Sequence, residues 1–293
     1  MRGGRGRGAA FTLLELLVVT STIGLLVAVL VPALGGAREA GRSSVCMAAL
    51  HQAGLGTTMY LDDNEGWFWP YFKDVVGAEG GRRWWFGFEP GGPSSNPWQR
   101  HRPIERAGGF LGKYLSASPQ DFRCPSFPYA SGLYFPKFDP GAGGYGYNTG
   151  GLGGYNWIDS STTRTRRITE FTGRTSDVFT LADGIHFDRL DISAGGELNQ
   201  PFNEPAYIQW QEPSLFTRNT GVNGGFGHFR HAGRAQVLFL DGHVAGQPLR
   251  RTNHPYGRKG FGPIGNLTGE NLGVVEIRKG NLTLRVDQIY GLR

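Results

Sequence analysis

The chain has 293 residues and a formal charge of +6, with 48 glycines, 17 prolines and 13% aromatic residues. That length supports one or two domains with a real core, and the Gly and Pro content favours turns over long soluble helices. Arg2, Arg5 and Arg7 supply much of the excess charge and the remainder is close to balanced, so with no basic helix or aromatic stacking motif a nucleic-acid partner is not expected.

Residues 1–10 form a basic leader without an acid, and Leu16–Ala37 then runs for 22 residues without a charge. As a helix that stretch spans ~33 Å, against about 30 Å of hydrocarbon, so 11–37 is expected to cross a membrane. The leading arginines place the N-terminus in the cytoplasm and everything after Ala37 outside the membrane. The alternative is a secretory signal peptide cut after the Gly-Gly-Ala ending at Ala37. Its apolar region would be only about 7–15 residues long, and it leaves Glu15 unexplained. An isolated carboxylate at the edge of an oily helix costs several kcal/mol, unless it snorkels to the interface or finds a partner.

Over 38–66 the pattern predicts the amphipathic second half of the helix, with Cys46, Leu50, Ala53, Thr57 and Tyr60 on one face. Gly41, Gly54 and Gly56 each weaken that helix by about 1 kcal/mol relative to alanine, so packing must hold it. The stretch LDDNEGW at 61–67 is expected to stop it. Asp62, Asn64 and Gly66 have the spacing of the start of a calcium loop, but Lys73 stands where the late glutamate belongs, which leaves a turn.

Residues 67–293 read as a glycine- and aromatic-rich β head. From Trp67 to about Ser176 loops and short strands are expected. The clusters Trp67-Phe68-Trp69 and Trp84-Trp85-Phe86 suit core anchors or, alternatively, a sugar-binding platform. Asp177–Ala182 reads as a strand. Ala235–Leu240 and His243-Val244 read as a hairpin across Asp241-Gly242, with a type I′ turn. A second hairpin is expected to join Val274–Arg278 to Leu282–Val286.

The stretch A-A-F-T-L-L-E-L-L-V-V resembles the start of type IV pilins and of type II secretion pseudopilins, which carry a short basic leader, a cleavage site before an aromatic residue or Met, and a glutamate as the fifth mature residue. The resemblance implies cleavage between Ala10 and Phe11, an assembly role for Glu15, and a bend at Pro32. Ala10 stands where the family usually has Gly. Further on, RHAGRAQVLFLDGHV, with His231, Asp241 and Gly242, resembles the H-x9-DG segment of a pilin-like family of planctomycetes and related bacteria. CMAAL, MYLDDNEG, FRCPS and GYGYN also fit that family, although Ala49 replaces its usual Asn.

The resemblance implies an α+β chain in which a long N-terminal helix, its first half membrane-spanning, packs on a small, mostly antiparallel β-sheet head. It implies a structural subunit rather than an enzyme, with no cofactor. Its partners are a prepilin peptidase, like or related subunits and the lipid of the inner membrane. The protein is then single-pass, with its head periplasmic or extracellular. In the filaments of the family, the glutamate pairs with the new terminal ammonium of a neighbouring subunit.

Two further functional classes stay open at this point: a membrane-anchored module binding polysaccharide, and a metal-dependent surface enzyme. For the second, His228, His231 and His243 lie close in sequence and Asp241 adds an oxygen ligand, although the spacing is not diagnostic. Structurally, His231 is expected to hydrogen-bond the Asp241 carboxylate. Cys46 and Cys124 are candidates for a disulfide tying loop to helix, with two buried thiols as the alternative.

Overall fold

Leu13–Asp63 forms one α-helix, α1, with Pro32 inside it. The computed structural model describes residues 12–77, 80–91, 99–115, 122–130, 132, 134–149, 151–154, 164–191, 202–205, 207–208, 221–248 and 272–273. The leader 1–10, Phe11 and the hairpin expected across 279–281 lie outside the described residues. The chain divides into two compact units, Met1–Gly41 and Arg42–Arg293.

In the first unit α1 is long and apolar enough to cross a membrane, and none of its apolar window is buried among the described residues. Leu13 is 88% exposed and Leu17 70%. Its hydroxyls are satisfied locally: Thr20 bonds the carbonyls of Leu16 and Leu17, Ser21 that of Val18, and Thr22 that of Val19. Such back-bonding lets polar side chains sit in an apolar medium.

In the second unit α1 buries Cys46, Leu50, Ala53, Thr57 and Leu61 at steps of three and four. Tyr60 is half-buried against the same core. The helix stops as its sequence suggests. Gly66, at φ +79°, returns its N–H to the Leu61 carbonyl at 2.7 Å, and Asn64 Nδ2 donates to the Tyr60 carbonyl at 2.7 Å. These bonds satisfy carbonyls that the helix end would otherwise leave open.

Three short strands, β1 (Lys73–Val75), β2 (Gly81–Trp84) and β3 (Gly87–Pro90), form an antiparallel sheet. Strands β4 (Arg102–Pro103) and β5 (Phe138–Asp139) form a parallel pair. The main sheet takes β6 (Tyr145–Asn148), β7 (Phe179–Asp191), β8 (Phe202–Asn203), β9 (Tyr207–Ile208), β10 (Gly221–His228), β11 (Arg234–Phe239), β12 (Val244–Pro248) and β13 (Leu272–Gly273). Its order is β12-β11-β7-β10-β13, with β6 and β8 also on β7 and β9 parallel to β6. One long helix with antiparallel and mixed sheets makes the architecture α+β.

Strand β7 is longer than the expected Asp177–Ala182, because it serves two sets of neighbours. Residues 179–182 pair with β11, whereas 184–191 pair with β10. Strand β11 is buried on both faces. Ala235, Val237 and Phe239 pack with Phe179 and Phe229, whereas Leu238 faces the core that includes Leu50 and Ala53 of α1.

The tryptophans serve the core. Phe68, Trp69, Trp84, Trp85 and Phe86 are buried, and Trp69 lies against Tyr147 with ring centroids 4.8 Å apart. Buried rings present no face to a sugar, so the exposed platform is not formed. Trp67 stays partly exposed, covered by the Arg164 guanidinium at 3.7 Å.

Gly54 lies where α1 packs against Leu238 of β11. A Cβ there would meet Leu238 Cδ1 at 2.9 Å and the Gly242 carbonyl at 3.6 Å. Gly54→Leu gains helix propensity but overpacks this contact, and is expected to cost about 1–3 kcal/mol net, read as a lower urea midpoint. An unchanged midpoint would mean that the contact is loose.

Candidate functional site

Two places hold the residues singled out in the sequence. The first is the start of α1. Glu15 Oε2 accepts from the Thr12 N–H and from Thr12 Oγ1, each at 2.9 Å, and the Glu15 N–H donates back to Thr12 Oγ1 at 3.2 Å. This is a reciprocal capping box, with Thr12 as N-cap and Glu15 three residues later. The T-x-x-E spacing carries that signal, and the sequence reading passed over it. Glu15 therefore has a local partner, and its carboxylate sits where the helix dipole favours negative charge.

The second place is the His231 region. His231 and Arg234 exchange backbone hydrogen bonds at 3.0 Å across Ala232 and Gly233, whose φ values are +50° and +77°. Positive φ at both central residues is the type I′ geometry. The type I′ turn thus lies here, and not at Asp241-Gly242 as expected. There only Gly242 has positive φ, at +86°. The Gly242 N–H bonds the Phe239 carbonyl and the Phe239 N–H bonds the His243 carbonyl, each at 3.0 Å. That is a three-residue loop closed by a left-handed glycine.

The nine-residue spacing between His231 and Asp241 is therefore one turn, the strand β11 and Leu240. One end of the strand is fixed by His231. The other end rests through Gly242 beside Gly54 of α1. Asp241 accepts from the His243 N–H at 3.1 Å, and its carboxylate pairs with the His243 ring.

His231 does not reach Asp241. It is buried, with Nε2 3.4 Å from Asp183 Oδ2 and 3.4 Å from Cys124 Sγ. Its neighbour Arg230 holds the cluster together. Nη2 donates to Asp183 Oδ1 and to the Gly144 carbonyl, both at 2.6 Å; Nη1 donates to the Gly184 carbonyl at 3.0 Å; Nε donates to Cys124 Sγ at 3.2 Å. Asp183 Oδ2 accepts the Gln236 N–H at 2.7 Å. Burial pushes the Asp183 carboxyl up, against the opposing pull of Arg230, His231 and that amide.

Cys46 and Cys124 are joined by a disulfide, with Cα atoms 5.1 Å apart. It ties α1 to the loop that His231 and Arg230 hold against β7. Ligand atoms of Cys46, Cys124 and His231 lie within 4.8 Å of one another. The thiolate is the metal ligand, however, and these sulfurs are bonded to each other.

His228, His231 and His243 form no common ligand set among the described residues. His228 Nδ1 lies 3.2 Å from Arg230 Nη1, whereas the exposed His243 stacks on Phe239 with centroids 4.2 Å apart. The sequence reading missed Asp183, Arg230 and Glu204. Burial also pushes the Glu204 carboxyl up, and the Gly143 N–H donates to it at 3.2 Å. Chemically the His231 centre is a clamp: Asp183 is fully buried and His231 nearly so, which shuts both side chains off from water.

No family model matches this chain, and comparison with curated proteins and with solved structures finds no match either.

Proposed function

We propose that this chain is a structural, pilin-like subunit. It is held in the inner membrane by the first half of α1, cut between Ala10 and Phe11 by a prepilin peptidase, and assembled with like or related subunits into a filament of the type IV pilus or type II secretion kind. Its N-terminus faces the cytoplasm before cleavage and its head lies outside the membrane. The observation that carries this reading is the unburied apolar stretch of α1, which begins at a capped glutamate. A surface of that size needs lipid or other helices to cover it. Within a filament, neighbouring copies of the same stretch supply the cover.

Glu15 then has two successive partners. In the single subunit its carboxylate caps its own helix. In the filament it pairs with the Phe11 ammonium of a neighbour, which sets the axial register. A buried pair contributes specificity more than stability.

Glu15→Gln separates the two roles, because glutamine still completes a capping box but carries no charge. The variant is expected to insert normally yet lose subunit–subunit cross-linking in membranes by more than about tenfold, since an unpaired buried ammonium costs ~3–5 kcal/mol. Cross-linking at the wild-type level would sink the charge-pairing role.

A further inference from the structure

Where the end of α1 meets β1, β2 and the 107–114 segment, the head has an open cleft of about 430 Å³. That volume lies within the range of small-molecule sites, about 300–1,000 Å³. Its charged lining is entirely basic: Lys73, Arg83 and Lys113. Lys113 is already shared with Asp63, at 2.9 Å, and Asp63 also accepts from the Tyr114 hydroxyl at 2.7 Å. Lys73 and Arg83 make no ion pair among the described residues, and Arg83 Nε is buried without a hydrogen-bond partner.

Burying a guanidinium N–H without an acceptor is unfavourable, and the acceptor it suits best is a planar or tetrahedral oxyanion. Around these cations stand the half-buried rings of Tyr60 and Tyr114, 6.0 Å apart between centroids, with the buried Phe110 6.3 Å from Tyr60. Burial pushes the Tyr60 hydroxyl up to about 12, so near neutrality it stays protonated and able to donate.

We infer that this cleft binds an acidic sugar, whose carboxylate or sulfate group is held by Arg83 and Lys73 while its ring lies against Tyr60 and Tyr114. The site is independent of filament assembly, since it uses neither the apolar stretch of α1 nor Glu15. It gives the subunit a way to hold charged polysaccharide at a cell surface.

The test is calorimetric titration of the full chain in detergent with glucuronate, glucose and inorganic sulfate. Glucuronate is expected to bind saturably, sulfate more weakly, and glucose not measurably. Arg83→Gln and Lys73→Gln should each weaken glucuronate binding about tenfold, ~1.4 kcal/mol, with an unchanged near-UV spectrum. Arg174→Gln, which follows the 3₁₀ turn at Ile168–Phe171 and does not line the cleft, should leave it unchanged. Glucose binding as well as glucuronate would remove the charge recognition, and sulfate binding as tightly as glucuronate would remove the ring contact. Undiminished binding in a folded Arg83→Gln variant would overturn the site.

Discussion

Replacing Arg230 with methionine is expected to destabilise the head by about 3–5 kcal/mol. One guanidinium serves Asp183, the carbonyls of Gly144 and Gly184, and Cys124 Sγ. Asp183 has no exposure to water, so removal of the cation leaves a buried carboxylate with only His231 and the Gln236 amide beside it. Methionine keeps most of the apolar stem near Phe127, over which the guanidinium sits at 5.2 Å, so the loss reports charge and hydrogen bonds rather than volume. Exchanging Asp183 for alanine in the same variant should restore part of the loss, because the stranded carboxylate is then gone. Urea unfolding with an unchanged slope measures both steps. A shift below about 1 kcal/mol for Arg230→Met would mean that water reaches the pair and weakens it.

The second large effect concerns the disulfide. Its two cysteines are 78 residues apart in sequence, and closing a loop of that size is worth ~4–5 kcal/mol in the chain-entropy model. Cys46→Ala and Cys124→Ala both open the loop, but they should not cost the same. Cys124 Sγ also accepts from Arg230 Nε and neighbours His231 Nε2, whereas Cys46 serves the helix face. Cys124→Ala is therefore expected to be the more damaging by about 1 kcal/mol, the usual worth of one hydrogen bond. Equal midpoints for the two variants would show that the cluster draws nothing from the sulfur beyond the covalent tie.

How far the sequence reveals this arrangement depends on the range of the interaction. The long apolar helix, its amphipathic face at Cys46, Leu50, Ala53 and Thr57, and its stop near Gly66 all follow from short-range periodicity and turn chemistry. The β11 hairpin is legible for the same reason, although its turn type is not. Asp241-Gly242 fits a type I′ turn in isolation, but one additional loop residue, Leu240, turns it into a three-residue loop.

The partner of His231 is a different matter. Asp183 follows the largely apolar run Val178–Ala182, and a lone acid after such a run marks the end of a strand when read locally. Only the pairing of β7 with β6, β10 and β11 shows that the strand continues and that the acid is internal. Arg230 is equally silent in sequence, because its acceptors lie on Cys124, Gly144, Asp183 and Gly184, far apart along the chain. The aromatic clusters have the opposite problem: Trp84-Trp85-Phe86 fits a core and a binding platform alike, and only burial separates the two.

The α+β architecture and the exposed apolar helix stand on the structure; the proposed filament role rests on how that helix begins. Mass spectrometry of the protein extracted from membranes addresses this directly. A chain that starts at Phe11 is the result the account predicts. An intact Met1, or a chain that starts beyond Ala37, would contradict it and reduce α1 to an anchor or an export signal.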